Sequence, residues 1–183
     1  NRAGSQLLLL QLLRLLKDRN VPMHLLLCGG GDLEKEFAKV ISITKYYVEP
    51  TVQENSFIDK VKRKLRIDDK REEHIAQSLD QDVVHSLESQ NIGLVFVNSI
   101  ANAQVYHEKL GSMHDLPMVL FLHELGMSAR MYTNQIHLKF LLSKANEIIA
   151  VSQAVANYYI QEYHYPVEQV HTFTLIDHEM VDQ

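Results

Sequence analysis

Short apolar runs of strand length, each ending in polar residues and separated from the next by a segment of helical period, constrain this chain more than any other feature. The clearest lies within Leu116 to Gly126, Leu-Pro-Met-Val-Leu-Phe-Leu-His-Glu-Leu-Gly, where the apolar residues stop at His123 and Glu124. A run of that length bounded by Pro117 and Gly126 is what a parallel strand buried on both faces looks like. Asn91 to Val97, ending in Asn98-Ser99, and Asn146 to Val151, ending in Ser152-Gln153, repeat the pattern. Met23 to Cys28, Val40 to Val48 and Val170 to Ile176 read as three further strands.

The intervening segments read as helices. Ser5 to Arg19 is apolar around most of its circumference, the mark of a helix held between a sheet and a second layer or partner, and Ser5 can cap its first turn. Asp32 is placed to cap a short helix to about Lys39, Ile100 to Leu110 and Ala129 to Ser143 have helical period, and Ser152 can cap Gln153 to Tyr163. Two apolar stripes, Phe57, Ile58, Val61 and Leu65, then Ile75, Leu79, Val84 and Leu87, predict two amphipathic helices broken near Asp68-Asp69. Strands alternating with helices predict an α/β chain, a doubly wound parallel sheet with helices on both faces. With 183 residues, 46% hydrophobic and 22% charged, a single domain over 1–183 is expected.

A formal net charge of −5 gives no basis for a nucleic-acid partner. Cys28 is the only cysteine, which rules out an internal disulfide or a cysteine zinc site and points to an intracellular compartment. The leucine run Leu7 to Leu16 carries Gln11 and Arg14 and falls short of the ~20 apolar residues of a membrane span. No signal peptide is visible, so a cytoplasmic location is expected. The one concentrated charge is Lys60, Lys62, Arg63, Lys64 and Arg66. It reads either as the wet face of a helix or as a contact with anionic lipid or a phosphorylated substrate, the latter placing the protein peripherally at the inner membrane face.

Most chemical motifs fail on spacing. Gly29-Gly30-Gly31 precedes a helix, where backbone amides can meet an anion. Glu34 stands where a dinucleotide fingerprint needs its last glycine, no Gly-Lys-Ser/Thr follows, and Asp32, Glu34 and Glu36 crowd the position with negative charge, so a plain tight turn is expected. His123-Glu124 starts like H-E-x-x-H, but the fifth position is Met127, and the other nine histidines show no paired spacing, so no metal is expected. No serine sits in a G-x-S-x-G elbow. What remains is the set of polar strand ends, Asn98-Ser99, His123-Glu124 and Ser152-Gln153, which a doubly wound sheet would bring to one edge as a small-molecule site. Ser152 fits a helix cap equally, Asn98 can serve loop backbone groups, and His123 is either a hydrogen-bonded structural residue or an active group.

Ala3-Gly4-Ser5 leading into the leucine helix, Val95-Phe96-Val97-Asn98-Ser99, Pro117 to Gly126, Leu142 to Ala154 and Val170 to Asp177 together resemble the N-terminal domain of retaining GT-B glycosyltransferases, a group that includes bacterial transferases of cell-surface polysaccharide biosynthesis. The resemblance covers nearly the whole chain. It implies a Rossmann-like domain that binds the acceptor and faces a second, donor-binding domain across a cleft, with a nucleotide-sugar as donor and no further cofactor. It also implies roles for single residues: Gly4 and Ser5 at the loop that approaches the donor diphosphate, His123 reaching the transferred sugar, and Asn98, Ser99 and Glu124 beside it on the sugar or acceptor. Two departures follow. The family's first strand would precede Ala3, so the sheet is expected to lack a central strand, to be filled by another segment or by a homodimer. The donor-binding domain would follow Gln183, so the chain as given is expected to be inactive alone. The competing expectation is a stand-alone α/β ligand-binding or interaction module without catalysis.

Overall fold

A computed structural model of the chain describes residues 4–46 and 81–173. The basic cluster from Lys60 to Arg66, the apolar stripe from Phe57 to Leu65, Ile75 and Leu79, and the part of the predicted strand Val170 to Ile176 beyond Phe173 lie outside the described residues. The fold is α/β with parallel sheets, and its contacts divide into two compact units, 1–91 and 92–183.

The first unit contains α1 (Gly4–Asp18), β1 (His24–Leu27), α2 (Glu34–Val40), β2 (Ser42–Lys45) and a helix, α3, over 81–88. β1 and β2 pair in parallel, His24 opposite Ser42 and Leu27 opposite Lys45. α1 buries Leu8, Leu9, Leu10 and Leu13 but leaves Leu7 and Leu15 exposed, so the described residues cover only part of its apolar circumference. Ser5 lies inside α1 rather than at its cap, and α2 has Leu33 at its N-cap with no side-chain cap bond, so Asp32 stands one residue too early to cap it. On α3 the buried face is Val83 and Leu87 rather than Val84 and Leu87, a spacing of four that keeps both on one side of a helix. Lys17 Nζ donates to the Lys39 carbonyl at 3.1 Å, placing a cation on the last turn of α2.

The second unit contains β3 (Val95–Asn98), a 3₁₀ turn (Ile100–Asn102), α4 (Ala103–Lys109), β4 (Met118–Leu122), α5 (Gly126–Tyr132), α6 (Gln135–Lys144), β5 (Glu147–Ala150), α7 (Gln153–Tyr163) and β6 (Val170–Thr172). Its four strands are parallel in the order β3-β4-β5-β6. On β4, Met118, Leu120, Phe121 and Leu122 are all buried, which requires cover on both faces and explains the unbroken apolar run. The ladder between β3 and β4 begins with Val95 opposite Met118, later than the run from Asn91 predicts, and Leu94 is 53% exposed. Leu94 precedes the first paired residue and so has no strand to carry it into the core.

Two polar side chains set local geometry here. Asn146 lies just before β5, where its Oδ1 accepts from Met118 N at 2.8 Å and its own N–H donates to the Met118 carbonyl at 2.9 Å, pinning the amino ends of β4 and β5. Asn134 accepts from His137 N at 2.9 Å as the N-cap of α6, and with Thr133 extended it divides the predicted helix over Ala129 to Ser143 in two. Ser152 caps α7 as its position predicts, accepting from Val155 N at 3.3 Å.

Candidate functional site

The parallel register carries Asn98, the last residue of β3, opposite Phe121 of β4. His123 is the first residue past β4, so two adjacent strand ends deliver their polar residues to the same place. His123 Nε2 lies 2.9 Å from Asn98 Oδ1, and the His123 ring is tilted at 51° to that of Phe121 with centroids 4.3 Å apart. Asn98 is itself tethered, because its carbonyl accepts from Asn102 Nδ2 at 2.8 Å.

Ser99 makes the turn out of β3 with φ 77° and ψ 143°, a region nearly closed to residues with a Cβ. Such a conformation persists only where the surroundings hold it. Ser99 N donates to the Phe121 carbonyl at 2.9 Å, its Oγ accepts from Ala101 N at 3.1 Å, and the same hydroxyl donates to Glu124 Oε1. The second carboxylate oxygen of Glu124 accepts from His123 N at 3.1 Å. Ser99 and Glu124 are each 8% exposed, so a buried carboxylate with both oxygens bonded clips the end of β3 to the end of β4.

Burial pushes the His123 imidazole below its ordinary pKa, with the Glu124 charge opposing in part. The ring is therefore neutral at neutral pH and presents one donor and one acceptor. Tyr159 on α7 is fully buried, its hydroxyl has no partner among the described residues, and burial followed by the Glu124 charge pushes its pKa up. Its place on the core face with Val155 and Ala156 is legible from period, whereas the unbonded hydroxyl has no sequence signal.

The remaining candidates fall elsewhere. Ser152 is used as the cap of α7; Gln153 Nε2 donates to Asn157 Oδ1 at 2.8 Å and Gln153 Oε1 accepts from Thr172 at 3.4 Å, so this third strand end is occupied by its own helix and by β6. Gly4 and Ser5 belong to the first described turn of α1, and a Cβ at Gly4 would meet nothing within 4 Å. Cys28, just after β1, is half-buried, and burial pushes its thiol up to about 11, which keeps it protonated at neutral pH.

A second histidine cluster joins α4 and α6. His107 Nδ1 and His137 Nδ1 are 3.0 Å apart, His137 Nε2 lies 3.4 Å from Glu108 Oε1, and Phe140 stacks on His107 with centroids 3.9 Å apart and planes 12° from parallel. Because the two rings lie 30 positions apart in sequence, spacing gives no hint of this pairing. A cavity of about 390 Å³ is lined by Gly126, Met127, Arg130, Met131, Tyr158 and Glu162, and His123 is not among its walls. Among the described residues no group of three or more His, Cys, Asp or Glu side chains is placed to hold a metal ion, and no helix is long and apolar enough to cross a membrane.

The family model described as Glycosyltransferase Family 4 matches residues 3–174, a span that takes in every residue of the strand-end site. No curated protein matches the chain.

Proposed function

From the premise that this chain belongs to Glycosyltransferase Family 4, we propose that it is the N-terminal, acceptor-binding domain of a GT-B glycosyltransferase that moves a sugar from a nucleotide-sugar donor with retention of configuration. The observation that carries this reading is the meeting of His123 and Asn98 at adjacent parallel strand ends, 2.9 Å apart, inside the matched span. Ligands of open α/β sheets collect at the carboxyl ends of strands, and a neutral imidazole there suits an uncharged, hydroxyl-rich substrate.

In this reading His123 orients the transferred sugar, while Asn98, Ser99 and Glu124 shape the wall it stands in. Gly4 and Ser5 approach the donor diphosphate, where backbone amides stabilise the negative charge that develops on the leaving group. The nucleotide itself is held by a second domain of the GT-B pair.

Turnover by the full-length protein tests the reading, with release of nucleoside diphosphate measured across a panel of nucleotide-sugars. His123→Ala should lower transfer about a hundredfold or more, the usual scale for a group engaged in proton or hydroxyl positioning at the reacting centre, with an unchanged melting temperature. Near-normal turnover in His123→Ala would remove His123 from the reaction, and no turnover with any nucleotide-sugar would remove the reaction.

A further inference from the structure

Asn98 has a specific consequence for His123. A neutral imidazole carries its proton on one nitrogen only, and the hydrogen bond made by one ring nitrogen decides what the other can do. The oxygen of the Asn98 side chain faces Nε2 at 2.9 Å, and an amide oxygen only accepts, so Nε2 must be the protonated nitrogen. Asn98 is not free to turn the ring loose: its backbone is in the β3 ladder opposite Phe121, and its carbonyl is tied to the Asn102 side chain. The ring also packs on that of Phe121, centroids 4.3 Å apart, and the His123 backbone N–H is held by Glu124. Nδ1 has no hydrogen-bond partner among the described residues, and His123 is only half-buried.

We infer that Asn98 is a positioning residue that fixes His123 as the Nε2–H tautomer, leaving Nδ1 as a bare acceptor for a hydroxyl group donated by a bound sugar. The tautomer follows from this chain's own geometry; the hydroxyl partner rests on the glycosyl-transfer reading. It specifies that reading further, because the substrate contact is one in which the sugar O–H donates and the protein accepts. A deoxy sugar lacking that hydroxyl would leave Nδ1 unmatched.

The test uses the full-length protein with ¹⁵N-labelled histidine, at about pH 8, where a histidine with a lowered pKa is neutral. Two-bond proton–nitrogen correlation spectra report which ring nitrogen carries the proton. The expected result for His123 is a single Nε2–H form with a slowly exchanging ring proton. In Asn98→Leu that proton should exchange too fast to be seen, a fraction of the Nδ1–H form should appear, and kcat/KM should fall roughly tenfold, the size of one neutral hydrogen bond. Asn98→Asp keeps an acceptor at nearly the same place, so it should retain the Nε2–H form and raise the pH at which the ring titrates. It also serves as the measurable variant if the leucine substitution fails to fold. Protonation at Nδ1 in the wild-type protein, or an unaltered ring signal in Asn98→Leu, would overturn the inference. A fixed Nε2–H tautomer together with undiminished transfer by His123→Ala would instead overturn the sugar hydroxyl contact at Nδ1, and a fixed tautomer with no turnover of any nucleotide-sugar would overturn the glycosyl-transfer reading on which that contact depends.

Discussion

His123 and His137 belong to the same compact unit and differ in how completely the protein uses them. His137 is nearly inaccessible, with Nδ1 against His107, Nε2 toward Glu108 and its backbone N–H on the Asn134 cap, so every polar atom of the residue meets protein. His107, its partner, is covered by Phe140. His123 commits one nitrogen to Asn98 and its N–H to Glu124, and its other nitrogen meets no partner among the described residues. A histidine whose valences are all filled internally holds helices together; one with a single valence left is arranged to meet something else.

The largest expected effect separates the two by readout. His123→Ala should abolish most transfer with little change in stability, whereas His137→Ala should leave kcat/KM nearly unchanged and lower stability by about 2–3 kcal/mol, because it removes a buried hydrogen-bonded ring and leaves His107 unmatched. For a chain of this length that corresponds to a fall in melting temperature of roughly 5–10 °C, measurable by calorimetry. If both substitutions reduced activity alike, the distinction between the two histidines would fail.

The next effect concerns the support beneath His123. Ser99→Ala keeps a Cβ in a disfavoured backbone conformation and leaves Glu124 short of a donor, so it should cost about 2 kcal/mol in urea unfolding. Ser99→Gly loses the same hydroxyl but relieves the backbone, so it should be the more stable of the two, an inversion of the usual order of alanine and glycine. Equal stabilities would mean that the Ser99 conformation carries no strain.

Smaller still is a dependence on pH. His123, and His24 in the other unit, have pKa values pushed below the ordinary 6.5 by burial. The unfolded chain therefore takes up protons first as pH falls through about 6.5, and stability declines from there until the folded-state values are passed. Urea unfolding between about pH 7.5 and 5.5 should show that decline, and His123→Gln should reduce it. The smallest effect is at Gly126, where a Cβ would lie 3.1 Å from the Tyr158 ring. Gly126→Ala requires that ring to yield by a few tenths of an ångström and should cost under about 1 kcal/mol, without the loss of transfer expected of His123→Ala.

The contrast also explains what the chain revealed before its structure. Buried parallel strands announce themselves through composition, so β4 and the polar residues at its end are readable from Met118 to Glu124. Convergence of Asn98 and Ser99 on that end then follows from the βαβ topology. The limits of elements were less legible, because they rest on groups with several roles: Asn134 interrupts a continuous helical period by capping α6, and Leu94 is apolar yet falls before the ladder begins. The Ser99 conformation has no signal, since a serine with positive φ looks like any other serine. The His107–His137 pair was invisible for a different reason, as it is created by the packing of α4 on α6 rather than by either helix.

Asn146 carries an implication for how such a site can change over generations. By fastening Met118 through both its side chain and its backbone, it settles the alignment of β4 with β5 at the end of the strands away from His123. Past Leu122 and Ala150 the alignment of β4 with β5 is carried by the backbone, Val151 N donating to the Leu122 carbonyl at 3.1 Å, so it does not depend on which side chains stand there. Side chains can therefore change at one end of the sheet while the other end preserves its order, so that one scaffold can be refitted without relearning how to fold.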